Sequence, residues 1–192
     1  MTLETYSVLV SLGLFALTAL VLGCLVLYAL VPAFRKHVHA HSYTALYGSM
    51  AVIVLLAIAG AFIYQLAYLT PVCELCWWQR IFLFPIAVIA LVAAWYRTKE
   101  AHVMSGVLAL LGLFYAAYHY YYHFQGLVLG NKLALPCSSG GLLPACTDSP
   151  ILTFGFVTIP FMGILVFVNI LIIAFFVHRK IESEKSSMRN NP

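Results

Sequence analysis

Long apolar blocks separated by short polar knots account for nearly all of this chain. Run length and flanking charge predict five helices, at about 6–33, 43–69, 74–96, 103–125 and 153–178. Each is near the ~20 residues that cross the hydrocarbon core of a bilayer. The tail from Glu182 to Pro192 is polar and lacks apolar periodicity, so a disordered end is expected there.

Composition fixes the class. Hydrophobic residues make up 64% of the 192 positions and charged residues 8%, with a mean hydropathy of +0.98. These values belong to an all-α integral membrane protein and exclude a soluble globular domain. The connectors then sort by charge. Arg35 and Lys36 follow the first span, Arg97 and Lys99 the third, and Arg179, Lys180, Lys185 and Arg189 the fifth. Those sites are expected to be cytoplasmic, which puts the N-terminus outside and the C-terminus in the cytoplasm. The first span reads as a true helix rather than a signal peptide, because Met1 to Tyr6 carry Glu4 and no basic residue and the apolar run is too long. The net charge of +4 is a topology signal, and no basic-aromatic pattern points to nucleic acid.

This topology places four of the five cysteines on the outer face. Cys73 and Cys76 open the third span, and Cys137 and Cys146 lie in the loop 126–152, which is rich in glycine and proline. Cys24 stands alone in mid-span and reads as a small buried hydrophobe. A Cys-x-x-Cys pair has three ordinary explanations: a redox disulfide, half of a zinc site, or two buried small residues. The surroundings favour the first, since two pairs on an oxidising face are disulfide candidates. An anchored pair and a pair in a long loop suggest a relay. Cys76 falls in the first turn of its helix, where unpaired N–H groups and the helix dipole favour a thiolate.

Arg80 follows Cys76 at i+4 on the same face. Its guanidinium is placed to stabilise that thiolate or to polarise a carbonyl-bearing ligand, the plainer reading being an arginine that snorkels to the surface. Trp77 and Trp78 sit at the depth of an aromatic belt and read as interfacial anchors that also wall a flat pocket. His119 and His123, four apart near the end of the fourth span, share a face expected to look into the bundle and to hydrogen bond rather than bind metal. His37, His39 and His41 read as a solvated polar connector.

Over about residues 43–178 the chain resembles the DsbB/BdbC family of disulfide bond formation proteins, its BdbC branch most closely. The resemblance rests on Cys73-Glu74-Leu75-Cys76-Trp77-Trp78-Gln79-Arg80, on Tyr118-His119-Tyr120, on the outer pair Cys137 and Cys146, and on Gly155-Phe156-Val157-Thr158-Ile159-Pro160-Phe161. It implies a DsbB-like four-helix redox core at 43–178. An extra N-terminal transmembrane helix and cytoplasmic turn (1–42) would precede it, and a polar cytoplasmic tail (179–192) would follow. It further implies a thiol:quinone oxidoreductase of the bacterial cell membrane that reoxidises a DsbA/BdbD-like thioredoxin-fold partner and reduces ubiquinone or menaquinone. Cys137 and Cys146 would be the shuttle pair, with partner attack at Cys137. Electrons would pass to Cys73 and Cys76, with Cys76 facing the quinone beside Arg80. His119 aligns with the family's histidine near the quinone, with His123 as second choice, and Gln79 and Trp77 complete the implied quinone contacts. No metal is expected. The extra first helix has no counterpart in the four-helix core, and the eight residues between Cys137 and Cys146 depart from other family spacings. Two rival readings are a vitamin K epoxide reductase-like enzyme, whose dithiol lies near the end of its helical core, and a non-enzymatic metal-binding or structural membrane module.

Overall fold

The computed structural model describes residues 2–70, 72–130 and 151–190. Helix α1 (Leu3–Leu30) starts where the Thr2 side chain accepts a hydrogen bond from the Thr5 N–H, a standard N-cap. Extended Val31 then leads to Pro32, which opens the short α2 (Pro32–Ala40). Ser42 caps α3 (Tyr43–Leu66) in the same manner as Thr2, accepting from the Ala45 N–H at 3.1 Å. Helix α4 (Glu74–Tyr96) is followed by Arg97 in the left-handed region, φ 55°. Helix α5 (Ala101–His123) runs on into a π-helical turn, Phe124–Val128. After a tight turn in which Thr153 and Val157 pair and Phe154 and Gly155 take positive φ, helix α6 covers Ile159–Asn190.

Five helices among the described residues are long and apolar enough to span a membrane: α1, α3, α4, α5 and α6. The protein is therefore an all-α, multi-pass membrane protein. Helices α3, α4, α5 and α6 pack in sequence, and α6 returns onto α3 to close a four-helix ring. Helix α1 stands outside the ring against α6.

Lipid chains are as apolar as leucine, so burial of hydrophobic area does little to draw these helices together. Close approach does. Ala87, Ala90 and Ala93 on α4 and Ala109, Gly112 and Ala116 on α5 let the larger Tyr47, Met50, Ile86, Phe167 and Ile170 fill the ring. Gly112 shows how tightly. A Cβ there would stand 2.3 Å from the buried Phe167 ring of α6. Polar pins supplement the packing, and the Asn169 amide of α6 donates to Thr18 Oγ1 of α1 at 2.9 Å.

One end of the bundle gathers the basic residues. Tyr47 donates to the Lys99 carbonyl, Lys99 pairs with Glu184 at 2.8 Å, and Lys180 donates to the His39 carbonyl. This end therefore joins α2, α3, the α4–α5 turn and α6. The connector expected to be solvated keeps His37 and His41 exposed, while Pro32–Ala40 folds as α2 with His39 against the Tyr28 hydroxyl at 3.1 Å. The tail, expected to be disordered, is a correction, because α6 stays helical to Asn190. Extending a formed helix avoids the nucleation penalty, and the Lys180–Glu184 and Lys185–Glu182 pairs fall at i,i+4 and i,i+3 spacing.

Candidate functional site

The end opposite the basic cluster is built from the C-terminus of α3 and the N-terminus of α4. Leu69 takes a left-handed conformation (φ 51°), and Thr70 folds back so that its N–H and hydroxyl both reach the Tyr64 carbonyl. The chain then enters α4 with Cys73 as N-cap, its Sγ accepting from the Cys76 N–H at 3.4 Å. The two sulfurs stand 3.0 Å apart. Both lie where orphan backbone N–H groups and the helix dipole stabilise negative charge, so this end of α4 suits a thiolate, the reactive form of a dithiol.

The two cysteines face different surroundings. Cys73 is buried toward α5, where His119 Nε2 lies 3.6 Å from its sulfur. His119 is fully buried (0% exposed), and its Nδ1 receives the Gln79 side-chain amide at 3.2 Å. With Nδ1 occupied as an acceptor, the neutral ring carries its proton on Nε2, aimed at Cys73. Gln79 reaches that position because Gly163 on α6 has no side chain, a Cβ there falling 2.7 Å from Gln79 Oε1. His123 is also buried, with its ring 4.4 Å from that of His119.

Cys76 lines an apolar cavity of about 610 Å³ together with Gln79 and Arg80. Arg80 does not snorkel. It is 7% exposed, and it donates to Gln65 Oε1 at 2.5 Å and to the Ala61 carbonyl at 3.1 Å, both on α3. The rings of Phe62 and Trp77 lie 5.1 and 5.2 Å from its guanidinium carbon. No carboxylate pairs with it among the described residues. A guanidinium has five N–H donors, so this arrangement fixes its orientation while keeping donor capacity for a ligand oxygen.

The expected site residues thus divide. Cys76, Gln79 and Arg80 meet at the cavity, whereas His119 and His123 stand behind the dithiol rather than among the cavity-lining residues. Trp77 covers the guanidinium from outside, and Trp78 stacks on Tyr115 at 5.4 Å. Cys137 and Cys146 lie outside the described residues. The Cys73 and Cys76 sulfurs and a His119 ring nitrogen lie within 4.8 Å of one another, the donor set for a soft metal ion. Among the described residues that makes three ligands, where a closed zinc site takes four.

Sequence reasoning did not find Gln65, Gly163 or the face of α1 that lines the cavity. Gln65 left a signal, as a lone polar residue in the last turn of an apolar span. Gly163 left none, because its role depends on a side chain 84 positions away in the chain.

The family model described as "Disulfide bond formation protein DsbB" matches residues 43–177, which takes in the α3–α6 ring and leaves out α1 and α2. Among curated relatives, the disulfide bond formation protein C of Bacillus subtilis is 32% identical over 127 residues, covering 66% of this chain and 87% of that protein. A probable disulfide formation protein C of Halalkalibacterium halodurans is 33% identical over 126 residues, 66% of this chain and 88% of its own. A probable disulfide formation protein of Coxiella burnetii is 34% identical over 112 residues, 58% and 72% respectively. No solved structure matches.

Proposed function

The chain belongs to the DsbB family of disulfide bond formation proteins, and from that premise we propose that it oxidises an extracytoplasmic thioredoxin-fold dithiol protein and delivers the electrons to a membrane quinone. The observation that carries this reading is the meeting of Cys76, Gln79 and Arg80 at one apolar cavity, next to a buried partner thiol. A quinone is a flat apolar ring edged by carbonyl oxygens. The cavity fits it: apolar walls, a guanidinium as donor, and a volume within the ~300–1,000 Å³ usual for small-ligand sites.

Electrons move in pairs. The partner's two thiols become a disulfide as the Cys137–Cys146 disulfide opens, through a mixed disulfide. Cys137 and Cys146 close again by reducing the Cys73–Cys76 disulfide. The Cys73–Cys76 dithiol then closes by giving two electrons and two protons to the quinone, which leaves as quinol. Within this sequence α4 holds the two sulfurs 3.0 Å apart, close enough for a small side-chain movement to join them, and His119, oriented by Gln79, donates toward Cys73 when it carries negative charge. Arg80 presents positive charge to a ligand carbonyl oxygen from a position fixed by α3. The basic end of the bundle faces the cytoplasm of a bacterial cell under the positive-inside rule, which puts both cysteine pairs on the outer side.

The test is quinone reduction by purified protein in detergent with a reduced thioredoxin-fold donor. Wild type turns over with ubiquinone or menaquinone, and Cys76→Ser and Cys137→Ser do not. Normal turnover by Cys76→Ser overturns the assignment. The Cys73, Cys76 and His119 cluster supports one other reading, a resident soft metal. Stoichiometric zinc in the purified protein, with no quinone turnover, would establish that instead.

A further inference from the structure

The family match begins at residue 43, yet α1 supplies a wall of the cavity. Tyr6, Val10, Gly13, Leu14 and Leu17 line it, at spacings of four, three, one and three, so they form one face of the helix. Helix α1 is pinned above and below this face. Above, Tyr6 packs its ring against those of Tyr64 (4.8 Å) and Tyr68 (5.3 Å) and donates to the Gly60 carbonyl at 3.4 Å. Below, Asn169 of α6 donates to Thr18 at 2.9 Å. Between the two pins the α1 face looks into the cavity. Gly13 is exposed and a Cβ there would meet nothing within 4 Å, so at this point the cavity opens toward the bilayer.

The cavity has unlike regions. Cys76, Gln79 and Arg80 give it a polar, redox-active part, while Val10, Leu14 and Leu17 of α1 with Ile53, Leu56 and Ala57 of α3 give it a purely aliphatic one. Leu56 and Ile63 line the cavity and yet remain 66% and 42% exposed on the lipid-facing surface of α3. The cavity therefore borders the bilayer on that side.

We propose that α1 is part of the quinone site and makes this protein selective for quinones with an isoprenoid tail. The headgroup sits at Cys76 and Arg80, and the first isoprenoid units lie along the α1 face between Val10 and Leu17. This proposal rests on the quinone reading above. An aliphatic chain suits an aliphatic wall that offers no hydrogen-bond partner. Continuity with the headgroup region favours the quinone's own tail over an independent bilayer lipid as occupant.

The experiment compares quinones sharing one headgroup with no tail, a short isoprenoid tail and a long one, using wild type, Gly13→Leu and Gly23→Leu. Gly23 also lies on α1 in open space but does not line the cavity. Wild type should show a lower KM for tailed quinones. Gly13→Leu should raise that KM by about tenfold and raise the KM of the tail-less substrate by less, since one misfitting methylene in an apolar pocket already shifts discrimination ~10-fold or more. Gly23→Leu should match wild type. A second readout is binding: a quinone with a photoreactive group on its tail should label the α1 peptide in wild type and lose that label in Gly13→Leu. Melting temperatures of the variants confirm that α1 remains docked. Tail-independent KM in wild type, label confined to α3–α6, or equal effects on tailed and tail-less substrates would overturn the role of α1 and leave the quinone reading intact. Absence of turnover with every quinone would overturn both.

Discussion

Replacing Gly163 by alanine isolates the contact that orients the histidine of the dithiol. The new methyl would stand 2.7 Å from Gln79 Oε1, where ordinary contact begins near 3.4 Å, so the amide must retreat by at least about 0.7 Å. The Gln79–His119 hydrogen bond, at 3.2 Å, is already at the long end of the normal range and has no slack to absorb this. A neutral hydrogen bond is worth ~0.5–1.5 kcal/mol, so dithiol-to-quinone turnover should fall about 2- to 10-fold. The fold should not suffer. The clashing atom ends a flexible side chain, and alanine is favoured over glycine within a helix by ~1 kcal/mol. The assay is a double-mutant cycle, with turnover and melting temperature measured for wild type, Gly163→Ala, Gln79→Ala and the double variant. Gly163→Ala should be nearly silent once Gln79 is alanine. An equal loss in both backgrounds would refute the idea that Gly163 acts through Gln79 and His119.

Gly112→Ala should do the opposite, lowering stability while sparing chemistry. Its Cβ would meet the rigid, buried Phe167 ring at 2.3 Å, and overpacking of this kind costs ~1–3 kcal/mol, read as a fall in melting temperature that Phe167→Leu partly restores. Arg80→Lys keeps the charge but cannot span Gln65 and the Ala61 carbonyl together, so the KM for quinone should rise about tenfold or more with the protein still folded. At the other end, burial first, then the nearby Lys180, Arg179 and Arg35, hold His39 below the usual histidine range. The unfolded chain then binds that proton more tightly than the folded one, so the His39 contribution is present above pH ~6.5 and lost as pH falls below it. Melting temperature should drop between pH 7.5 and 5.5, and less so in His39→Gln.

Much of the site was legible because its signals are local. Cys73 and Cys76 are three residues apart and Arg80 is four beyond, so the first two turns of the helix place all three along one side of the mouth of α4 whatever surrounds them. The histidines show where local signals stop. The i,i+4 spacing correctly put His119 and His123 on one inward face, but only the packing of α5 against α4 decides that His119 meets Cys73 and Gln79. The same holds for Arg80, whose charge at membrane depth marked it as functional while its partners on α3 lay hidden.

The sequence by itself determined that the chain is an all-α membrane protein with five spans, that it carries a dithiol at a helix mouth, and that it is akin to disulfide bond formation proteins. These follow from hydropathy and near-neighbour spacing, which act within a single helix. Tertiary structure alone decided the burial of Arg80 against α3, the division of Cys73 toward His119 and Cys76 toward the cavity, and the use of α1 as a wall of that cavity. The reason is physical. In a membrane both the lipid-facing and the protein-facing sides of a helix are apolar, so the pattern of residues fixes where a helix lies in the bilayer but not how it is turned about its axis. That rotation is set by small residues such as Gly112 and Gly163 and by single polar contacts such as Asn169 to Thr18, which appear only when the helices are packed.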